Sequence, residues 1–226
     1  LLVSSWYREG PYPFPPRPFS WGLVADIVRA PRFRFAVGGY LGHMWELYAM
    51  WTWLPIFIAA SVAAQRGASE AATSIASGVS FAALAIGGAG CIWGGLVSDK
   101  YGREWLVTLA LAVSGACSLL IGVVFGMTLW LVVPVALVWG FFVIADSAQF
   151  SVLVTEAVPA HAVGTALAVQ TSLGFLLTMV TIQTVPQMSQ LLTWRWAFAV
   201  LALGPMVGIW SIRQLVRMRS RVRADT

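Results

Sequence analysis

Apolar residues along this chain fall into six long blocks, approximately 35–59, 71–97, 105–125, 128–147, 163–185 and 195–216, and polar residues crowd into the stretches between them. Period-2 alternation is absent from the blocks, so they do not read as strands. A helix needs about 20 apolar residues to cross about 30 Å of hydrocarbon, and each block is long enough. In a bilayer an unpaired backbone amide is costly, and a helix pairs its own. The pattern predicts an all-α membrane protein with six transmembrane helices, spans I to VI. It divides the chain into a leading connector 1–34, a six-helix transmembrane bundle 35–216 and a basic cytoplasmic tail 217–226.

Composition points the same way. Of 226 residues, 59% are hydrophobic and 10% charged, with a mean hydropathy of +0.79. Soluble domains carry about 25% charged residues, so this chain lacks the polar surface to cover a water-facing globule. A net charge of +5 and a pI near 9.8 bring nucleic acid to mind. The basic residues flank apolar runs instead of sharing one polar face, and no base-reading or phosphate-cradling motif accompanies them. No nucleic acid is expected as a partner; the lipid bilayer is. Cys91 and Cys117 lie inside apolar runs and read as small buried residues, too few for a disulfide framework or a metal site. No cofactor and no metal are implied.

Charge also gives direction. Twelve of the fourteen Lys and Arg fall on one side of the predicted membrane: Arg8, Arg17, Arg29, Arg32 and Arg34, then Lys100 and Arg103, then Arg213, Arg217, Arg219, Arg221 and Arg223. Only Arg66 and Arg195 fall on the other. The positive-inside rule makes the first side cytoplasmic, with both termini there, in a plasma (inner) membrane. Residues 1–34 read as a loop, because Gly10 to Pro18 alternates proline with aromatics and Arg29, Arg32 and Arg34 follow. No charged-then-apolar signal stands at Leu1, so the chain reads as a piece of a longer protein whose central connector comes first.

Small residues punctuate the spans: Gly87, Gly88 and Gly90 in II, Gly115 and Gly122 in III, Gly204 and Gly208 in VI. In lipid, such residues let helix backbones approach closely. Pro55 and the Gly204-Pro205 pair are expected to weaken or kink their helices. Between spans II and III stands Gly95-Leu-Val-Ser-Asp99-Lys100-Tyr-Gly102-Arg103-Glu104. Gly95 lets a helix end pack closely, Asp99 is an acceptor at the membrane surface, and Gly102 permits a tight turn. Lys100 and Arg103 mark the cytoplasmic face.

This loop resembles the Gly-x-x-x-Asp-Arg/Lys-x-Gly-Arg-Arg/Lys loop of the Major Facilitator Superfamily, which follows the second helix of the amino-terminal half and recurs, weakened, after the eighth. Glu104 departs from the pattern, as a second-half copy often does. Glu156-Ala-Val-Pro159 followed by Gly164-Thr165-Ala166 is similar to the stretch before the eleventh helix, though the arginine common there is missing. Trp194-Arg195-Trp196-Ala-Phe198 is similar to the start of the twelfth. The resemblance implies a carboxyl-terminal half: two three-helix repeats, half of a twelve-helix bundle whose missing partner is the amino-terminal half. It also implies that Asp99 and Arg103 pair, that Asp146 completes their cluster, and that the cluster closes the cytoplasmic side. Asp99→Asn is then expected to weaken transport without preventing membrane insertion.

Span I carries Tyr40, His43, Trp45, Glu46, Tyr48, Trp51 and Trp53. Glu46 stands about eleven residues into the block, which at about 1.5 Å per residue is near the midplane. A carboxyl group there must pair, protonate or face water. His43 is three residues away on the same helical face, and the two together suit accepting and releasing a proton. A structural hydrogen bond is the plainer alternative for each. Tyr40 and Tyr48 are candidates to line a cavity, whereas Trp51 and Trp53 read as interfacial anchors. On span V Gln170, Thr171, Thr178 and Thr181 form a polar stripe, as do Ser74, Ser77 and Ser80 on span II. Hydroxyls in membrane helices mostly bond their own backbone, so Gln170 is the best of these.

The family implies a secondary active transporter that moves a small-molecule solute by alternating access, here as a proton-coupled symporter. Span I and span V have the tone of its nitrate/nitrite-porter and organic-anion members. The arginine those porters carry within the span corresponding to II, and their Gly-Asn-rich signature in V, are both missing. A six-span scaffold or assembly subunit accounts for the length but not for the loop or Glu46. An intramembrane enzyme is disfavoured, because His43 and His161 lack a nucleophile motif such as Gly-x-Ser-x-Gly.

Overall fold

The computed structural model describes residues 6, 20–67 and 69–224, and no strand occurs among them. The helices are α1 (Trp21–Arg29), α2 (Pro31–Arg66), α3 (Glu70–Tyr101), α4 (Arg103–Val123), α5 (Leu129–Ala145), α6 (Ser147–Thr155), α7 (Val163–Trp196) and α8 (Leu203–Ala224). Short 3-10 turns at Ala160–Ala162 and Ala199–Ala202 precede α7 and α8. Six helical segments are long and apolar enough to cross a membrane. The protein is an all-α membrane protein. Spans I, II, III and V are α2, α3, α4 and α7; span IV is α5 with α6, and span VI is the second 3-10 turn with α8.

The ends differ from the apolar blocks in instructive ways. Residues 21–29 form a helix where a loop is predicted. Ser20 caps it by accepting from the Leu23 N–H at 3.4 Å, and Ile27 is buried against the main bundle. Nine residues are too few for periodicity alone to announce them. The proline-rich run 10–18, Arg8 and Arg17 lie outside the described residues. α8 continues without a break to Ala224, so the basic tail belongs to the helix of span VI. Pro55 lies inside an unbroken α2 and does not interrupt it; a proline removes one backbone bond, and in lipid no water competes for the rest of the ladder. Pro205 falls in the first turn of α8, where a backbone donor has no intrahelical partner to lose.

Two breaks have no such signal. Span IV is interrupted at one residue, Asp146 (φ −96°, ψ −8°), between α5 and α6. α7 runs well past residue 185 and changes course at Thr193, whose φ of 66° is unusual for a β-branched residue.

Span I is central and packs on II, V and VI, while IV lies against II and III, and VI against III. Backbones meet where glycines allow it. A Cβ on Gly90 would strike the Phe141 carbonyl, one on Gly94 the Ala145 carbonyl, and one on Gly140 the Ala83 carbonyl. Gly42 meets Gly204 and Gly208 in the same way across spans I and VI. Gly87, Gly90 and Gly94 share one helical face. Gly88 and Gly95 lie about 100° further round and face open space. The close packing expected of Gly95 and Gly88 therefore belongs to Gly94 and its face-mates. Large apolar side chains, among them Phe81, Ile92, Leu96, Trp130 and Met179, stand exposed on the outside, as a lipid-facing surface requires.

Candidate functional site

The most deeply buried charged group of span I is Glu46, which stands near the middle of α2 and is 0% exposed. Its Oε1 accepts from the Trp139 indole N–H of span IV at 2.7 Å, and its Oε2 accepts from the Ser114 hydroxyl of span III at 2.8 Å. Both carboxyl oxygens are satisfied by other helices. Trp139 is itself wholly buried, stacked edge-on to Phe198. The site thus fastens three spans at one point.

One turn earlier on the same helix, His43 Nδ1 lies 3.0 Å from Asp146 Oδ1, and its Nε2 lies 3.2 Å from the Ser147 Oγ. The carboxylate meets the imidazole at ion-pair distance but off the N–H direction, so Oδ1 is left without a hydrogen-bond donor. Asp146 is 1% exposed and His43 is buried. Both partners of the imidazole come from the break in span IV. Asp146 and Ser147 are consecutive there, and both reach the imidazole. Span II holds the other side: Gly94 sits against Ala145, and the Cys91 thiol contacts the Ile144 carbonyl at 3.5 Å. Interrupted helices with ionisable residues at the break are a recurrent way of building solute and ion sites at mid-membrane depth.

This placement corrects the predicted cytoplasmic cluster. Asp146 forms no ion pair with Arg103 and does not join the Asp99–Arg103 contact; it meets His43 instead. A carboxylate so buried needs a near partner, and the only cation-forming side chain one turn from Glu46 supplies it. Asp99 does lie near Arg103, at 4.0 Å, but Asp99 is 79% exposed and the contact is loose. Arg103 approaches Glu156 more closely, at 3.4 Å. Arg219 of span VI bonds both Glu104 and Glu156, the latter at 2.8 Å. The end of the bundle is therefore tied by a chain Asp99, Arg103, Glu156, Arg219, Glu104 that links the end of α3, α4, the end of α6 and α8. Lys100 lies over the ring of Tyr101. Gly102, with φ 94°, makes the turn between α3 and α4 that its position predicts.

The aromatic candidates face span V. Tyr40 sits against Gly174, near Phe150 (6.0 Å between centroids) and stacked on His43 (6.3 Å). Tyr48 packs on Phe175 at 5.5 Å and Trp51 at 5.4 Å. Trp51 and Trp53 are partly buried and pack against the core; the Trp53 indole donates to the Ile182 carbonyl at 2.8 Å. Thr178 and Thr181 bond their own helix backbone, as expected. Gln170 is 1% exposed, on the same buried face as Gly174, and its Oε1 has no partner. It shares no hydrogen bond with Glu46 or His43; Tyr40, stacked on His43 and set against Gly174, joins the III/IV side of span I to the V side.

No protein-family model matches the chain, and no curated protein matches it. Sequence reading missed Ser114, Trp139, Ser147, Glu156 as an ion-pair partner, and Arg219. None stands at a helical spacing from its partner, since each contact joins residues more than 50 positions apart.

Proposed function

We propose that the protein is a secondary active transporter of a small solute, proton-coupled, working by alternating access as the carboxyl-terminal six-helix half of a Major Facilitator-like carrier. The observation that carries this reading is the buried pair of acid sites, Glu46 and His43–Asp146, one turn apart on a central span and against an interrupted one. Ionisable groups at that depth are rare and belong by default to solute or proton pathways. The packing adds support. Exchanging spans I, II and III for IV, V and VI carries the main contacts onto each other: II–IV onto V–I, and I–VI onto IV–III. That is the adjacency two three-helix repeats produce. The Gly102 turn and the ionic chain at Arg103 are in keeping with a gate on the basic side, which the positive-inside rule makes cytoplasmic.

The coding sequence upstream of Leu1 is expected to encode six further spans with a fuller copy of the glycine-aspartate loop. The product of that whole reading frame, in proteoliposomes holding a pH-sensitive dye, is the sample to test. Organic acids, sugars and cationic drugs are applied in turn. A proton flux that depends on one solute class, and falls at least about tenfold in Glu46→Gln or His43→Gln, is the expected result. Well-folded protein with no solute-driven flux over the whole panel excludes the reading.

One observation favours a second reading. Ser147 Oγ, His43 and Asp146 stand in the order of a Ser–His–Asp hydrolase, with the hydroxyl at Nε2 and the carboxylate at Nδ1, although the carboxylate does not accept the aligned Nδ1–H bond of such a triad. A fluorophosphonate probe that labels Ser147, and fails to label His43→Gln, supports a membrane hydrolase. An unlabelled wild type removes it.

A further inference from the structure

A proline inside a helix brings no N–H, so the carbonyl four residues back loses its backbone donor. Pro186 stands inside span V, and the carbonyl it leaves free is that of Ile182. That carbonyl is the one to which the Trp53 indole of span I donates, at 2.8 Å. A side chain from another helix thus supplies the bond that Pro186 removes. Seven residues on, at Thr193 (φ 66°), the backbone departs from helix again. Residues 187–192 therefore lie between two weak points, on the least buried of the six spans. Past the second point the chain is fastened to span III. The Arg195 guanidinium donates to the Phe125 carbonyl at 3.2 Å, and a Cβ on Gly122 would strike the Arg195 carbonyl. Trp53 serves both weak points, since its ring also packs on Trp194 at 6.1 Å between centroids.

We propose that span V hinges over residues 186–193 and that Trp53 is the latch of this hinge. With the indole bond made, span V is held to span I and the Ile182 carbonyl is satisfied. When the bond breaks, span V is free to bend, and the carbonyl needs another donor. Lipid tails have none to give. Opening therefore requires water at this end of the bundle, and the latch ties the bend of span V to hydration of the gap between spans I and V. The hinge and its latch stand on this geometry alone. Their use as a gate for a solute rests on the transport reading.

Amide hydrogen exchange on the intact protein in detergent, read by mass spectrometry over span V, needs no solute and so is separate from the flux assay. In the wild type, residues 187–192 should exchange at least about tenfold faster than 170–180, as a locally opening segment does. Trp53→Phe keeps a ring beside Trp194 and removes the N–H. Exchange over 187–192 should then rise about tenfold more, the effect of losing one hydrogen bond between membrane helices. Pro186→Ala gives the Ile182 carbonyl a donor in its own helix, so it should slow exchange there. Added to Pro186→Ala, Trp53→Phe should change exchange less than about twofold. Equal protection of 187–192 and 170–180 in the wild type overturns the hinge. The latch is overturned if Trp53→Phe alone has no effect. It is overturned also if the effect is as large with Pro186→Ala present, because ring packing and not the N–H then holds the span.

Discussion

Glu46 and Arg219 are each bonded on two sides by groups from other helices, yet they sit in different media. Glu46 is wholly enclosed, and its donors are a neutral indole and a neutral hydroxyl. Arg219 is 31% exposed, and its partners are two carboxylates that water also reaches. In the enclosed site each bond is held because no solvent can replace it. In the open one, charge complementarity is strong but water and salt compete for every member. Burial, and not the formal charge of the partners, decides which contacts fix the architecture.

The largest test of that difference is steric. Gly94 lets span II touch the Ala145 carbonyl, next to the break that carries Asp146 and Ser147. Gly94→Leu puts a side chain where a backbone stands, and a backbone cannot yield. A loss of about 3 kcal/mol or more in unfolding free energy is expected, together with loss of the His43–Asp146 contact. Gly95→Leu, one position on but facing open space, should cost less than about 1 kcal/mol against the helix-favouring gain. Thermal unfolding in detergent measures both. Similar losses in the two variants would dissolve the distinction.

Next in size is Trp139→Phe, which keeps a ring in place and removes the N–H from Glu46. Hydrogen bonds between membrane helices are worth about 1–2 kcal/mol at most, and a stranded carboxyl oxygen brings the loss to the upper part of that range. The loss should be the same in low and high salt. Arg219→Gln removes two ion pairs at once, but each is partly solvated, so about 1 kcal/mol is expected at low ionic strength. That loss should vanish near 1 M salt, where the screening length falls to about 3 Å. A salt-dependent Trp139→Phe, or a salt-independent Arg219→Gln, would reverse the comparison.

The two regions also differ in how far the sequence reveals them. Six apolar blocks suffice for six spans, because length and hydropathy are local properties. Glu46 and His43 stand out for the same reason, as ionisable residues in an apolar run. Their partners are invisible at that level: Trp139 and Ser114 read as ordinary residues of membrane helices until the fold brings spans III and IV to span I. Asp146 was legible as a residue needing a partner, but the loop pattern drew it to the wrong one. The carboxylate meets His43 across the bundle, at a one-residue break in span IV that no proline or glycine announces. Residues 21–29 escaped detection because a nine-residue amphipathic stretch behind a proline-rich run offers too little period to count.

Glu104 offers the finest test, because it is where the loop departs from the pattern it resembles. That pattern has a basic residue at the position, whereas here an acid meets Arg219 from the last helix. If the departure is matched by its partner, the two residues exchange as a unit. Glu104→Arg alone sets like charges together and frees Arg219 from one of its carboxylates. Arg219→Glu alone gathers three acids, with Glu156 the third. Each single variant should lose about 0.5–1 kcal/mol, as partly exposed pairs do. The double exchange should recover about 0.5 kcal/mol of the summed loss, less than all of it because Glu156 then faces a carboxylate. A double-mutant cycle on unfolding in detergent at low salt reads this directly. Strict additivity would mean that Glu104 and Arg219 merely lie close, and that Arg219 owes its place to Glu156 alone.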